Sequence, residues 1–275
     1  MTTSTTPPDV TDRVELHRQG HVLVIRMRRT AARNAIDAPM TAALDAALNE
    51  MDDDPELWCG VLTGDAQVFS AGTDLAGGAG EPTARGGPYG VVGRRRSTPL
   101  IAAVEGFALG GGFELVLACD MVVAGRSTRF GLPEVSRGVV ATCGGIFRSA
   151  RPLPLTIAKQ MLLTGLQLPA PRAYQLGLVN ELVDDGDAEI AAVALAERVC
   201  DNSPSAVSAT LRALDEVVAE ADELGWRATH EAFATVLGSA DHHEGVAAFL
   251  EKRPPRWTGR ASTAGNAPHR PGGTG

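Results

Sequence analysis

The stretch LIAAVEGFALGGGFE, residues 100–114, decides the fold. Leu100 to Val104 is a short apolar run bounded by turn residues, the pattern of a buried strand. From Glu105 the chain reads as a strand end that runs through Gly110-Gly111-Gly112 into a helix. Glycines at such a junction let the backbone approach a ligand closely, and a helix start leaves N–H groups free to donate. An ordinary strand–helix turn also accounts for these residues. A dinucleotide loop does not, because the position three after Gly112 is Leu115.

Outward from this stretch the same alternation repeats. Val22 to Arg26, Cys59 to Thr63 and Met121 to Ala124 read as further strands. Asp37 is placed to cap a helix with Pro39 in its first turn, and Met40, Leu44, Ala47, Leu48 and Met51 mark its apolar face. Strand–helix alternation of this kind implies a sheet covered by helices. From residue 154 onward the pattern turns helical. The spacing predicts helices over 154–164, 170–176, 188–200, 205–221, 224–236 and 242–252, with Gly177 as a terminator. The expected division is a disordered tail over 1–11, an α/β core over 12–153, a helical region over 154–257 and a second disordered tail over 258–275. Residues 75–96 (LAGGAGEPTARGGPYGVVGRRR) interrupt the core without apolar periodicity. They read as a mobile loop bordering a site, or as plain disorder.

Composition removes several classes of function. A chain of 275 residues with 44% hydrophobic and 21% charged residues has the makings of one large globular domain. No apolar run approaches the roughly 18 residues that span a bilayer. The Thr-rich start carries no signal-peptide core. A net charge of −8 argues against a surface built to grip nucleic acid. Cys59, Cys119, Cys143 and Cys200 form no close pair, so a buried apolar role suits them better than a metal or redox site. His230-Glu231 opens like a zinc motif but Ala234 ends the match, and adjacent His242-His243 point to different helix faces. A soluble cytoplasmic protein without metal, redox cofactor, nucleic-acid or membrane partner is expected.

Three segments then converge on chemistry: FSAGTDL (69–75) just after a strand, the 105–114 junction, and FGLPEV (130–135). Arg33-Asn34-Ala35, Leu163-Thr164-Gly165, AYQLGLVN (173–180) and FLEKR (249–253) accompany them. In this order and spacing, residues 12–257 resemble the crotonase, or enoyl-CoA hydratase/isomerase, family. The resemblance implies an α/β, crotonase-like (ClpP/crotonase) spiral of ββα repeats. It also implies a helical C-terminal region that builds a homotrimer or a dimer of trimers. The implied substrate is an acyl-CoA thioester, with coenzyme A part of the substrate rather than a cofactor, and the common step is formation of an enolate-like oxyanion. Backbone N–H groups of Thr73 and Gly111 would stabilise that oxygen. Glu114 and Glu134 would flank the double bond and hold water, as in the hydratase branch.

Read singly, Glu114 is also a helix-start carboxylate favoured by the dipole, and Glu134 a solvated loop charge. The resemblance further places Arg33, Ala71, Asp74, Leu75, Gly110 and Lys252 at the substrate or its CoA. Arg29 and Arg253 are additional phosphate candidates. Arg94-Arg95-Arg96 either serves the same end or solvates its loop. One departure stands out: Ala141-Thr142 replaces the family's usual Pro-Gly, which leaves the Thr142 N–H to position water. The expected reaction is syn hydration of a 2-trans-enoyl-CoA to a 3-hydroxyacyl-CoA. A Δ3,Δ2-enoyl-CoA isomerase and a non-catalytic scaffold or RNA-binding family member are the alternatives.

Overall fold

The computed structural model describes residues 9–10 and 13–258. In chain order the elements are β1 (Asp9–Val10), β2 (Val14–Gln19), β3 (Val22–Met27), α1 (Ala38–Asp53), β4 (Cys59–Thr63), β5 (Leu100–Val104), β6 (Phe107–Leu109), α2 (Gly111–Leu117) and β7 (Met121–Gly125). They continue with β8 (Arg129–Gly131), α3 (Gly145–Arg148), α4 (Leu155–Thr164), β9 (Leu168–Pro169), α5 (Ala170–Leu176), β10 (Glu181–Val183), α6 (Ala188–Cys200), α7 (Pro204–Val236) and α8 (Ala240–Leu250).

The main sheet runs in the order β1-β2-β3-β4-β5-β7-β10. The β1-β2-β3 end is antiparallel, and every pairing from β3 to β10 is parallel. Parallel strands need helices on both faces, and the alternation of side chains shows both being filled. Leu23, Ile25, Leu62, Leu100, Ala102 and Val104 join the core that contains α1 and α2. Val22, Val24, Cys59, Val61, Ile101 and Ala103 point the other way, onto Ala188, Ala192 and Ala196 of α6. Small alanines on α6 let that helix lie close to the sheet.

Helix α1 begins as its sequence requires. The Asp37 carboxylate accepts from Met40 N–H at 2.9 Å, and Met40, Leu44, Ala47, Leu48 and Met51 are all buried.

A second sheet, β6-β8-β9, positions the site. β6 pairs in parallel with β8, and Ser70 bridges to Ala108 of β6. The three segments singled out in the sequence therefore lie side by side: 105–114 on β6, 130–135 on β8, and 69–75 bridged to β6 at Ser70.

Four differences from the sequence reading have physical causes. Strands continue past 154, because β9 and β10 are too short to show a period of two yet each completes a sheet edge. The helices expected at 205–221 and 224–236 are one helix, α7, which runs through Gly225; there a Cβ would strike the Phe147 ring at 2.3 Å. Asp9 and Val10 pair with Leu16 and Glu15 instead of belonging to a tail, and most of both expected tails lies outside the described residues. The 75–96 segment is ordered at its second half: Tyr89, Val91 and Val92 are buried, and a 3₁₀ turn spans Pro88–Gly90. Among the described residues no helix is long and apolar enough to cross a membrane.

Candidate active site

Two backbone donors come together first. Gly72 packs so tightly against the start of α2 that a Cβ there would lie 2.9 Å from Gly111 N. This brings the Thr73 and Gly111 amides to one place. Among the described residues neither N–H has an acceptor: Thr73 sits in an isolated bridge to Ile36 whose bonds run through Gly72 O and Asp74 N, and Gly111 is the first residue of a helix. The FSAGTDL segment is held there by a buried asparagine. Asn34 Nδ2 donates to Val68 O at 3.2 Å and Phe69 O at 3.1 Å, while Ser70 Oγ donates to Asn34 O at 2.7 Å. Asn34 and Ser70 are positioning residues; the sequence reading named their segments without assigning them this role. Their buried polar side chains are the only sign of that role, and burial is not visible in one sequence.

Two carboxyl groups face the same place. Glu114, in the first turn of α2, is 1% exposed. Its Oε1 accepts from Cys143 N–H at 2.7 Å and Gly145 N–H at 2.9 Å. Burial pushes its pKa up to about 7, against the pull of those two N–H groups, Arg148 and Tyr89. Glu134 begins a 3₁₀ turn, Glu134–Arg137, after β8. A Cβ on Gly110 would lie 3.2 Å from Glu134 Oε1, which fixes the carboxylate against the glycine junction. Glu134 Oε2 is buried and has no hydrogen-bond partner among the described residues. Burial, then the nearby Glu114 charge, raise Glu134 to about 8. Two neighbouring carboxyls that straddle neutrality share a proton and titrate as a pair.

A tyrosine completes the cluster. Tyr89 OH lies 2.7 Å from Thr73 Oγ1, and a Cβ on Gly111 would meet it at 2.5 Å. It comes from the 75–96 segment, which the sequence showed only as Gly-rich.

The enoyl-CoA hydratase/isomerase family profile matches residues 17–260. The chain belongs to that family. Among relatives of this enoyl-CoA hydratase/isomerase family member, the enoyl-CoA hydratase EchA19 of Mycobacterium tuberculosis is 36% identical over 255 residues, covering 89% of this chain and 96% of its own. The mevalonyl-coenzyme A hydratase of Aspergillus fumigatus is 36% identical over 246 residues, covering 86% and 91%. The solved structure of a carnitinyl-CoA hydratase from Mycobacterium avium matches with a TM-score of 0.85 at 41% identity, over 91% of this chain and 100% of that one.

The remaining expected site residues divide by what they touch. Gly110 N–H donates to Gly131 O at 2.9 Å, which ties the junction to β8, and Ala71 N–H donates to Arg33 O at 2.9 Å. Leu75 is half-buried next to Asp74. Asp74 is occupied: its carboxylate pairs with Arg29 at 2.8 Å and accepts from Ala76 and Gly77 N–H, which hold it below the usual carboxylate range. Arg29 also pairs with Asp37 at 3.2 Å, so it clamps the start of α1 to the loop.

Arg253 is likewise engaged, by Glu244 at 2.6 Å and Glu251 at 2.5 Å. Arg94 is buried between Asp45 and Asp52, each at 2.6 Å, and Arg96 binds Asp120 at 2.9 Å. Of that triplet only Arg95 faces solvent. Arg33 and Lys252 are exposed cations without an ion pair among the described residues. Thr142 is half-buried, with its hydroxyl 3.7 Å from Cys143 Sγ. The donors to Glu114 come from its neighbours Cys143 and Gly145, and the Thr142 N–H has no acceptor among the described residues.

Proposed function

We propose that the protein adds water in the syn sense to a 2-trans-enoyl-CoA, giving a 3-hydroxyacyl-CoA. The observation that carries this reading is the joint presence of buried Glu114 and half-buried Glu134, whose Oε2 is shielded, both raised towards neutrality beside two free backbone donors. The thioester oxygen accepts from Thr73 and Gly111 N–H, and each such donor is worth about 3–4 kcal/mol as negative charge develops. Glu114 takes a proton from water as its oxygen bonds to C3. Glu134 gives a proton to C2, and the enolate collapses to the thioester. Net, water is consumed and the shared proton returns to the pair. The Thr142 N–H is assigned to the attacking water, and exposed Arg33 and Lys252 to the phosphates of CoA. The scheme calls for no metal or redox cofactor.

A single carboxylate suffices to move a double bond, so the retained second one favours hydration over isomerisation. The first test is loss of the conjugated-thioester absorbance of crotonyl-CoA, followed by a panel that includes carnitinyl- and mevalonyl-type acyl groups. An enzyme that isomerises 3-enoyl-CoA but leaves crotonyl-CoA untouched would refute the reading.

We further propose a homotrimer or dimer of trimers in the cytoplasm. Leu214, Val217 and Leu224 of α7 and Phe249 and Leu250 of α8 present apolar surface outward, and four free thiols suit a reducing compartment.

A further inference from the structure

Tyr89 reaches the site at a conformational cost, and the reaction as written gives it no task. Its φ of 58° and ψ of 7° lie in the left-handed region, which bulky residues rarely adopt. The segment around it is folded back on itself and fastened. Gly93 N–H donates to Gly86 O at 2.8 Å, and Thr83 and Gly87 exchange backbone bonds of 2.9 and 3.0 Å. A Cβ on Gly86 would lie 1.9 Å from Gly90 O, so only glycine fits that crossing. Arg94 then clamps the segment onto α1. The product of this construction is one buried phenol placed over Gly111.

Gly111 and Glu114 stand three apart on the first turn of α2, so a hydroxyl above Gly111 lies over the face that carries the carboxylate. The same hydroxyl meets Thr73 Oγ1 on one side and the thiol of Cys143 on the other, and the Cys143 N–H holds Glu114. We propose that Tyr89 is a positioning residue for the reaction: its hydroxyl links Thr73 to Glu114 and keeps that carboxylate oriented to receive a proton from water. The proposal rests on the hydratase reading.

In the proposed chain the Tyr89 hydroxyl donates to Glu114, which leaves its oxygen to accept from the Thr73 hydroxyl 2.7 Å away. Burial holds the phenol far above its ordinary pKa, so it stays a neutral donor at any working pH. The other groups facing Glu114 are Arg148 of α3, the N–H groups of Cys143 and Gly145, and Glu134 from its 3₁₀ turn.

Tyr89→Phe removes the hydroxyl and keeps the ring. The experiment measures kcat and KM for crotonyl-CoA against pH, together with a ¹³C carboxylate titration in which Glu114 is assigned by the signal lost in Glu114→Gln. The expected result is a roughly tenfold fall in kcat with KM little changed, the scale of one hydrogen bond to a charged group. The Glu114 midpoint should move to higher pH, because a donor to its ionised form is gone. Thr73→Val, which keeps the backbone donor and the shape, should move the midpoint the same way by less. A Glu114 midpoint unmoved in either folded variant overturns the proposal, whatever the activity. Wild-type protein inert towards every enoyl-CoA would instead overturn the hydratase reading; the titration midpoint needs no turnover and so tests Tyr89 separately.

Discussion

Glu114 and Glu134 differ in how they are held, and that difference assigns their work. Glu114 has one oxygen fixed by two N–H donors, which suits a base that must hold water in place. Glu134 has an unpartnered buried oxygen against Gly110, which suits proton exchange at the α-carbon. Glu134→Gln should depress both hydration and deuterium exchange at the α-position of a saturated acyl-CoA, by about 10²–10⁴-fold. Glu114→Gln should depress hydration as severely and spare exchange. Equal losses of both activities in both variants would refute the division.

The same groups link activity to stability. Both carboxyls sit above their ordinary value of 4.5, so the folded chain prefers them protonated. That contribution is full below pH 4.5 and is lost as pH rises through about 7 and about 8. Thermal unfolding should therefore show Glu134→Gln more stable than wild type at pH 8.5 and little different at pH 4. Gly111→Val should abolish turnover while circular dichroism stays native, because a Cβ there already meets Tyr89 OH at 2.5 Å and a valine would displace the phenol and tilt the donor.

Among the elements, α1 and the turn after β8 show how packing supports the chemistry. Asp37 caps α1 and also pairs with Arg13 and Arg29 at 3.1 and 3.2 Å. Burial pushes its carboxyl up, but Arg13, the Met40 N–H and Arg29 outweigh burial and hold it below the usual range. Asp37→Ala should lower unfolding free energy in urea by about 0.5–2 kcal/mol from the cap alone. The ion-pair part of the deficit should fade as pH drops through the depressed pKa. The Glu134 turn is braced from outside by α8: a Cβ on Gly245 would strike Arg137 O at 2.1 Å, and the Arg137 guanidinium lies 4.8 Å from the centre of the Phe249 ring. Glu105, inside the stretch that decides the fold, accepts from Gly186 and Ala188 N–H at 2.9 and 3.0 Å. It anchors the start of α6.

At the scale of the whole molecule, α7 and α8 carry apolar side chains that one chain does not cover; Val217 is 83% exposed. Truncation before Ala240 should shift the light-scattering mass to a smaller species, and it should also lower turnover because the Glu134 turn loses its brace. A truncated protein with native mass would refute the role of α8 in assembly.

Period and punctuation alone determined much of this protein. Strands over 22–26, 59–63, 100–104 and 121–124, the Asp37 cap and the apolar face of α1 follow from local sterics and the burial of one face, which any window of sequence displays. The ordered motifs around Thr73, Gly111, Glu114 and Glu134 were legible for a similar reason, since backbone donors and helix starts impose glycine locally. Tertiary structure decided the rest. β9 and β10 exist because a sheet edge was available to two or three residues. Arg29, Asp74 and Arg94 became clamps because opposite charges distant in sequence met. Tyr89 reached Gly111 because a glycine-rich crossing, featureless in composition, allows a backbone path that no periodicity describes.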